Sequence, residues 1–207
     1  MLLFERDKAM SEYVILNEGD VLERCKTKTI EAKNPKLTKD YKEVKAAMEE
    51  EYKAKGQTLT SSADWKTAND MVERLAVCGL LKKRLTGKYQ VEFNEDIDGV
   101  PLRGFLDCLG DGFITDSKSS RSVDKFRYDV NSFSYDIQAY IYTKVFDIKD
   151  YYWVVQEKTH PYYPAEIKCS EETLFKGEMK YHQALENIKA YLNDKKPEVN
   201  CYASFVV

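Results

Sequence analysis

Two Asp-Gly pairs, Asp98-Gly99 and Asp111-Gly112, sit between runs whose apolar residues tend towards a period of two, and they constrain this chain more than any other feature. Asp-Gly is among the strongest hairpin signals, because a type I′ turn needs positive φ at both central residues, which glycine adopts freely and aspartate tolerates. The spacing predicts a β-meander between Gly87 and Ser119. Its registers come from counting outward from each turn. About Asp111-Gly112, Gly110 faces Phe113 and Asp107 falls directly opposite Asp116. About Asp98-Gly99, Glu92 falls opposite Phe105, on the face that carries Asp107. Lys118, two residues beyond Asp116, projects from the same face as that aspartate.

Helical periodicity brackets the meander. The run Lys36–Lys55 is highly charged, with Tyr41, Val44, Met48 and Tyr52 at three- and four-residue spacing, which predicts an exposed amphipathic helix. A second helix is expected from Ser62, as N-cap, to Leu85, with Trp65, Met71, Leu75, Val77 and Leu81 as apolar markers. Helices are expected next over 122–130 and 132–147, then a strand in YYWVVQEK, a proline-flanked segment HPYYP and a last helix from Ser170 to about Asn193. The expected architecture is one α+β (mixed α/β) domain over 1–207. It comprises a mainly helical part over 1–86, a core over 87–195 and a tail over 196–207. Its central mixed sheet is built from the 88–118 meander and the 151–158 strand, flanked by helices.

With 43% hydrophobic and 32% charged residues, neither a disordered chain nor a membrane protein is expected. The apolar runs are far too short for a span, and MLLFERDKAM is charged too soon for a signal peptide. Five cysteines, an odd number without a CxxC pair, point to a reducing cytoplasm and away from a zinc ribbon or disulfide framework. GxxxxGK[ST], GxSxG and GxGxxG are all absent, which argues against a phosphate loop, a hydrolase elbow and a dinucleotide fold. The net charge of −3 means that a polyanion must meet a local basic surface. One candidate is Lys118, Arg121, Lys125 and Arg127. The other, Lys82, Lys83, Arg84 and Lys88, reads more plainly as a cationic helix end facing the macrodipole.

The chemistry centres on the second hairpin. Cross-strand partners hold their Cβ atoms about 4.5–5.5 Å apart, so Asp107 opposite Asp116 calls for a compensating cation. Oxygen-only ligation suits Mg²⁺ or Mn²⁺. Such an ion can activate water and neutralise a phosphoryl oxygen, while Lys118 positions the nucleophile or steadies developing charge. D-x-K is also common on solvated strands. Here GFLD and FITDSK place the acids at the ends of apolar runs, where a solvated face would alternate. Glu92 reads more plainly as an ordinary exposed strand glutamate.

Asp107 followed by Asp116-Ser117-Lys118 resembles the PD-(D/E)XK nuclease core, with aspartate in place of the commoner glutamate, and Gln138-x-x-x-Tyr142 comes next on an expected helix. The ordered blocks KGQTLTSSADW, GVPLRGFLDCLGDGFITDSKSS, FSYDIQAYIY and WVVQEKTHPYYP resemble the exonuclease domain of the RecE-type (exodeoxyribonuclease VIII) and phage exonuclease family over about residues 2–195. The resemblance implies a restriction-endonuclease-like core. It assigns Asp107, Asp116 and the Ser117 carbonyl to a Mg²⁺ or Mn²⁺ ion, and Lys118 to catalysis. Gln138 and Tyr142 share a helical face that the family places beside the active site. Arg121, Lys125 and Arg127 would hold DNA phosphates, and Tyr135 could contact a nucleotide or simply pack. Relatives carry a G-x-x-H motif on an upstream helix. The segment LLFERDKA resembles the stretch directly C-terminal to that motif, which would put its histidine before Met1. Otherwise an acid such as Glu73 or Glu92 takes its role. Neither His160, expected in a loop, nor His182, expected on a helix surface, fits by order in the chain. Glu157-Lys158 suggests a strand-end ion pair.

The implied activity is processive 5′→3′ digestion of double-stranded DNA ends in phage-type recombination, beside a single-strand annealing protein. The implied assembly is a homo-oligomeric ring in a bacterial or phage-infected cytoplasm, without a membrane. A nuclease fold kept only for DNA binding or assembly, and a structure-specific endonuclease of the same superfamily, are the alternatives.

Overall fold

The computed structural model of the protein describes residues 6–193; the tail expected over 196–207 and the first residues of LLFERDKA lie outside them. The chain forms two compact units, Met1–Val77 and Cys78–Val207.

In the first unit, α1 (Arg6–Glu12) leads into β1 (Tyr13–Leu16), which pairs in parallel with β2 (Thr58–Ser61). A parallel pair needs a crossover, here supplied by α2 (Glu18–Leu22), α3 (Thr27–Ile30) and α4 (Lys39–Ala54); α5 (Ser62–Val77) comes after β2. α4 is the amphipathic helix that the charge pattern predicts. Thr38 caps it by accepting the Tyr41 amide at 3.2 Å, and Tyr41 and Met48 are buried against Val21.

In the second unit, α6 (Leu80–Arg84) precedes β3 (Lys88–Ile97), β4 (Val100–Leu109), β5 (Phe113–Ser120), β6 (Asp150–Glu157) and β7 (Pro164–Lys168), five strands that lie side by side in chain order. All neighbours are antiparallel except β5 and β6, which α7 (Phe126–Ser132) and α8 (Tyr135–Phe146) connect. α9 (Glu171–Leu192) starts at Ser170, whose hydroxyl accepts the Thr173 amide at 3.1 Å. This is the mixed sheet flanked by helices that the sequence predicts. Its main core joins Phe93, Leu106 and Ile114 to Phe126, Tyr142, Tyr151 and Trp153. Cys108 and Cys169 are buried as small hydrophobes, and burial pushes their thiols up to about 11 and about 12.

The first hairpin has the expected type I′ turn, with φ +55° at Asp98 and +80° at Gly99, and Glu92 opposite Phe105. The second keeps the counted register, Leu109 opposite Ile114 and Cys108 opposite Thr115. Only its Gly112 has positive φ, however, so the turn is not the expected type I′. Two other expectations are corrected. The helix expected over Ser62–Leu85 is two, because Gly79 at φ +77° breaks the run between Val77 and Leu80. Lys82, Lys83 and Arg84 form the basic last turn of α6, the expected cationic helix end, and two of them reach further: Arg84 and Lys83 grip Glu166 on β7 at 3.0 and 2.9 Å, and the Arg84 guanidinium lies 3.7 Å over the Tyr152 ring. Glu157 accepts the Val123 amide at 3.1 Å instead of pairing with Lys158, and so fixes the turn that opens α7.

Candidate active site

The β4–β5 ladder runs through Cys108–Thr115 and gives way at the next pair, Asp107 and Asp116. There the Ser117 amide donates to Asp107 Oδ2 at 2.9 Å, so a carboxylate takes the place of a strand carbonyl. On the other flank, Gln90 at φ +48° interrupts the β3–β4 register opposite Asp107, and its Nε2 lies 3.3 Å from Asp107 Oδ1. Asp107 is thereby held from both neighbouring strands.

Asp116 is buried, its side chain 3% exposed, and Lys118 Nζ lies 2.7 Å from Oδ2. Lys118 is thus the cation set against a solvent-inaccessible carboxylate oxygen. Burial pushes the Asp116 carboxyl up to about 7; Lys118 pulls it down and Asp107 pushes it further up. One ammonium therefore under-compensates the two acids. Carboxylate and carbonyl oxygens as the available donors suit a hard divalent cation. No group of three His, Cys, Asp or Glu side chains that could hold a metal occurs among the described residues. The Ser117 carbonyl, a main-chain oxygen, directly follows Asp116 in sequence. Glu92 is taken by Arg103 at 2.7 Å. Glu73 lies on α5 in the first unit. His160 lies in a turn after β6, and His182 is exposed on α9.

Gln138 and Tyr142 bond to each other. Gln138 Nε2 donates to the Tyr142 hydroxyl at 3.1 Å, and that hydroxyl donates to the Phe105 carbonyl at 2.9 Å. Tyr142 is thus both a core residue and a clamp between α8 and β4, two residues from Asp107. Burial, with a smaller contribution from Asp116 and Asp107, pushes its phenol up. Tyr135, first residue of α8, stacks on Phe126 with centroids 5.8 Å apart and lies beneath Lys118 Nζ at 4.7 Å. The half-buried ring thus contacts both the core and the lysine.

Arg121, Lys125 and Arg127 are exposed at the end of β5 and the start of α7. Arg127 donates to the Tyr128 hydroxyl at 2.9 Å. Ser120, buried at the end of β5, donates to Asp129 at 2.6 Å and anchors the segment that presents them. Gln90 is the site residue that the sequence reading passes over. Counting two residues back from Glu92 about Asp98-Gly99 sets it opposite Asp107.

No curated protein matches the sequence. Among solved structures the chain is similar to one described as "Putative exonuclease" from Eubacterium rectale, with a TM-score of 0.56, 17% identity, and 81% of this chain and 71% of that one covered. At that identity the likeness shows the fold. A second structure, SSO0001, gives a TM-score of 0.33 with 18% identity, covering 59% of this chain and 67% of its own, and carries no argument. Residues 2–203 match the PDDEXK-like domain of unknown function, DUF3799. A match over nearly the whole length, with Asp107, Asp116 and Lys118 brought together on adjacent strands, places this chain in that PDDEXK-like family, and it belongs to the PD-(D/E)XK nuclease superfamily.

Proposed function

We propose that the protein is a Mg²⁺- or Mn²⁺-dependent deoxyribonuclease of the RecE type, digesting linear double-stranded DNA from its ends, 5′→3′, in phage-type recombination. Its partners on this reading are DNA ends, a single-strand annealing protein and further copies of itself in a ring. The observation that carries the reading is the buried Asp116 carboxylate, facing Asp107 and compensated by Lys118 alone. The exonuclease designation of the Eubacterium rectale protein agrees with it.

A divalent ion held by the two carboxylates would lower the pKa of a bound water and offset charge on the scissile phosphate. The chain's own groups do the rest. Ser117 and Gln90 hold Asp107 in orientation. Lys118, poised between Asp116 and the Tyr135 ring, donates a hydrogen bond to the phosphoryl oxygen that gains charge as water adds through its oxygen to phosphorus and releases a proton to solvent. The P–O bond to the leaving alkoxide then breaks, and the alkoxide takes up a proton from solvent, which balances the one released by the attacking water. Arg121, Lys125 and Arg127 hold phosphates without reading sequence.

The test is digestion of linear and closed circular duplex in Mg²⁺ by wild type, Lys118→Ala and Asp116→Ala. Wild type should consume linear DNA and spare circles, and each variant should lose roughly 10²–10³-fold in rate or more. Wild type that retards DNA but digests none at any divalent-ion concentration would be a binding module. Cutting of circles would make it an endonuclease.

A further inference from the structure

We propose that Phe105 and Phe133 are base-stacking platforms on either side of the catalytic pair, so that the strand being cut lies across the site as unpaired nucleotides. The position of the scissile phosphate rests on the nuclease reading above; the platforms rest on their own geometry.

Phe105 lies within the ten-residue strand β4 and is nevertheless 48% exposed. It shares a strand face with Asp107, two residues and about 6.6–6.8 Å further along. Its main chain is fixed by the Tyr142 hydroxyl at 2.9 Å. Arg103, on the same face, sets its guanidinium 5.7 Å from the Phe105 ring and is itself held by Glu92. The ring is thus rigidly based, open to solvent and flanked by a cation.

Phe133 stands on the lysine side. It is 64% exposed, just before Ser134, whose φ of +56° opens α8. Its centroid lies 5.6 Å from that of Tyr135, whose ring carries Lys118 Nζ and stacks in turn on buried Phe126. A row of aromatic rings therefore leads from the core, past the catalytic lysine, to one open ring. Tyr135 supports the lysine, and the nucleotide-facing position belongs to Phe133.

An open aromatic ring beside exposed cations matches single-stranded nucleic acid, where bases stack on rings while phosphates meet arginine and lysine. Arg103 serves the first ring, and Arg121, Lys125 and Arg127 come directly after the strand that bears the lysine. A base within a duplex is already covered on both faces, so it must leave its stack to use either platform. An apolar protein surface would gain the rings but would have to desolvate these cations.

The experiment uses the full chain with Ca²⁺ as the divalent ion and a single-stranded oligodeoxynucleotide carrying 2-aminopurine, whose fluorescence is quenched by stacking. Wild type should quench it. Phe105→Ala and Phe133→Ala should each weaken binding roughly 5- to 100-fold and relieve the quench. Phe105→Trp and Phe133→Tyr should restore both. Phe105→Leu, which keeps apolar bulk without a flat face, should behave as Phe105→Ala, and unchanged thermal melting shows that the variants are folded. Affinity and quench unaltered by the alanine variants would overturn the platforms, as would an effect on oligomeric state alone, which would make the rings a contact between copies. Hydrolysis in Mg²⁺ is scored separately. A wild type that digests DNA while the phenylalanines prove indifferent loses the platforms and keeps the nuclease. Ring-dependent quenching without hydrolysis does the reverse.

Discussion

At the scale of single residues, Asp116 couples folding to protons and to metal. Its carboxyl sits near 7 in the fold because burial disfavours the charged form, against about 4 in an unfolded chain. Between those values the folded protein keeps a proton that the unfolded chain has released. Metal-free stability should therefore fall as pH rises from about 4 to about 7 and stay low above that. The cost at pH 8 is on the order of 4 kcal/mol as an upper bound, from about three units at 1.36 kcal/mol each. A divalent ion stabilises the charged carboxylate, so Mg²⁺ should raise Tm clearly at pH 8 and little at pH 5.5. Asp116→Asn should abolish both the pH slope and the Mg²⁺ effect. Thermal melts of the two proteins at these two pH values, with and without Mg²⁺, measure this; a wild-type Tm indifferent to Mg²⁺ at pH 8 would remove Asp116 from the ligand set.

Between elements, α8 and α9 approach each other closely. A Cβ added at Gly177 would lie 2.1 Å from the Asp136 carbonyl oxygen, backbone that cannot rotate away. The same junction holds Lys180 against Asp136 at 2.6 Å and Asn131 at 2.8 Å, and Tyr140 against Glu178 at 3.2 Å. In a free helix, alanine for glycine gains about 1 kcal/mol. Here Gly177→Ala must push the helices apart, and a net loss of about 1–3 kcal/mol in urea unfolding is expected. Hydrolysis should fall with it, because α8 carries Tyr135, Gln138 and Tyr142. Gly19→Ala on α2, where nothing lies within 4 Å, should leave stability unchanged or slightly higher. The long helices and the meander were legible because each rests on local chemistry: periodicity, Ser170 and Thr38 as caps, and turns short enough to fix register. That is how Asp107 comes to face Asp116, and the same counting reaches Gln90. β1, β2 and β7 were not legible, being four or five residues long and too short to show a period. Nothing local in the sequence sets Gly177 apart, since the need for it comes from a helix distant in sequence. Phe133 carries no signal of its own in the sequence, because Ser134 in the left-handed region starts α8 after it and leaves it outside the helical period.

For the whole molecule, charge distribution decides how nucleic acid is met. A net charge of −3 gives no general attraction to DNA, so affinity must come from cations that the fold leaves uncommitted. The two basic segments look alike in sequence and differ here. Lys83 and Arg84 are committed to Glu166, and they hold α6 to the sheet. Arg121, Lys125 and Arg127 are exposed and form no ion pair with another described residue, Arg127 resting against Tyr128. Each phosphate contact contributes about 0.9 to the slope of log affinity against log salt on duplex DNA and about 0.7 on a single strand. Replacing Arg121, Lys125 and Arg127 together by alanine should therefore flatten the slope by about 3 on duplex and about 2 on single strands, with stability unchanged. Lys83→Ala should leave the slope alone and cost stability instead. Titrations of labelled DNA across a salt series, run on both strand forms, separate the two segments. If Lys83→Ala flattened the slope and the triple variant did not, the path of the strand would run past α6, away from the end of β5 where Lys118 stands.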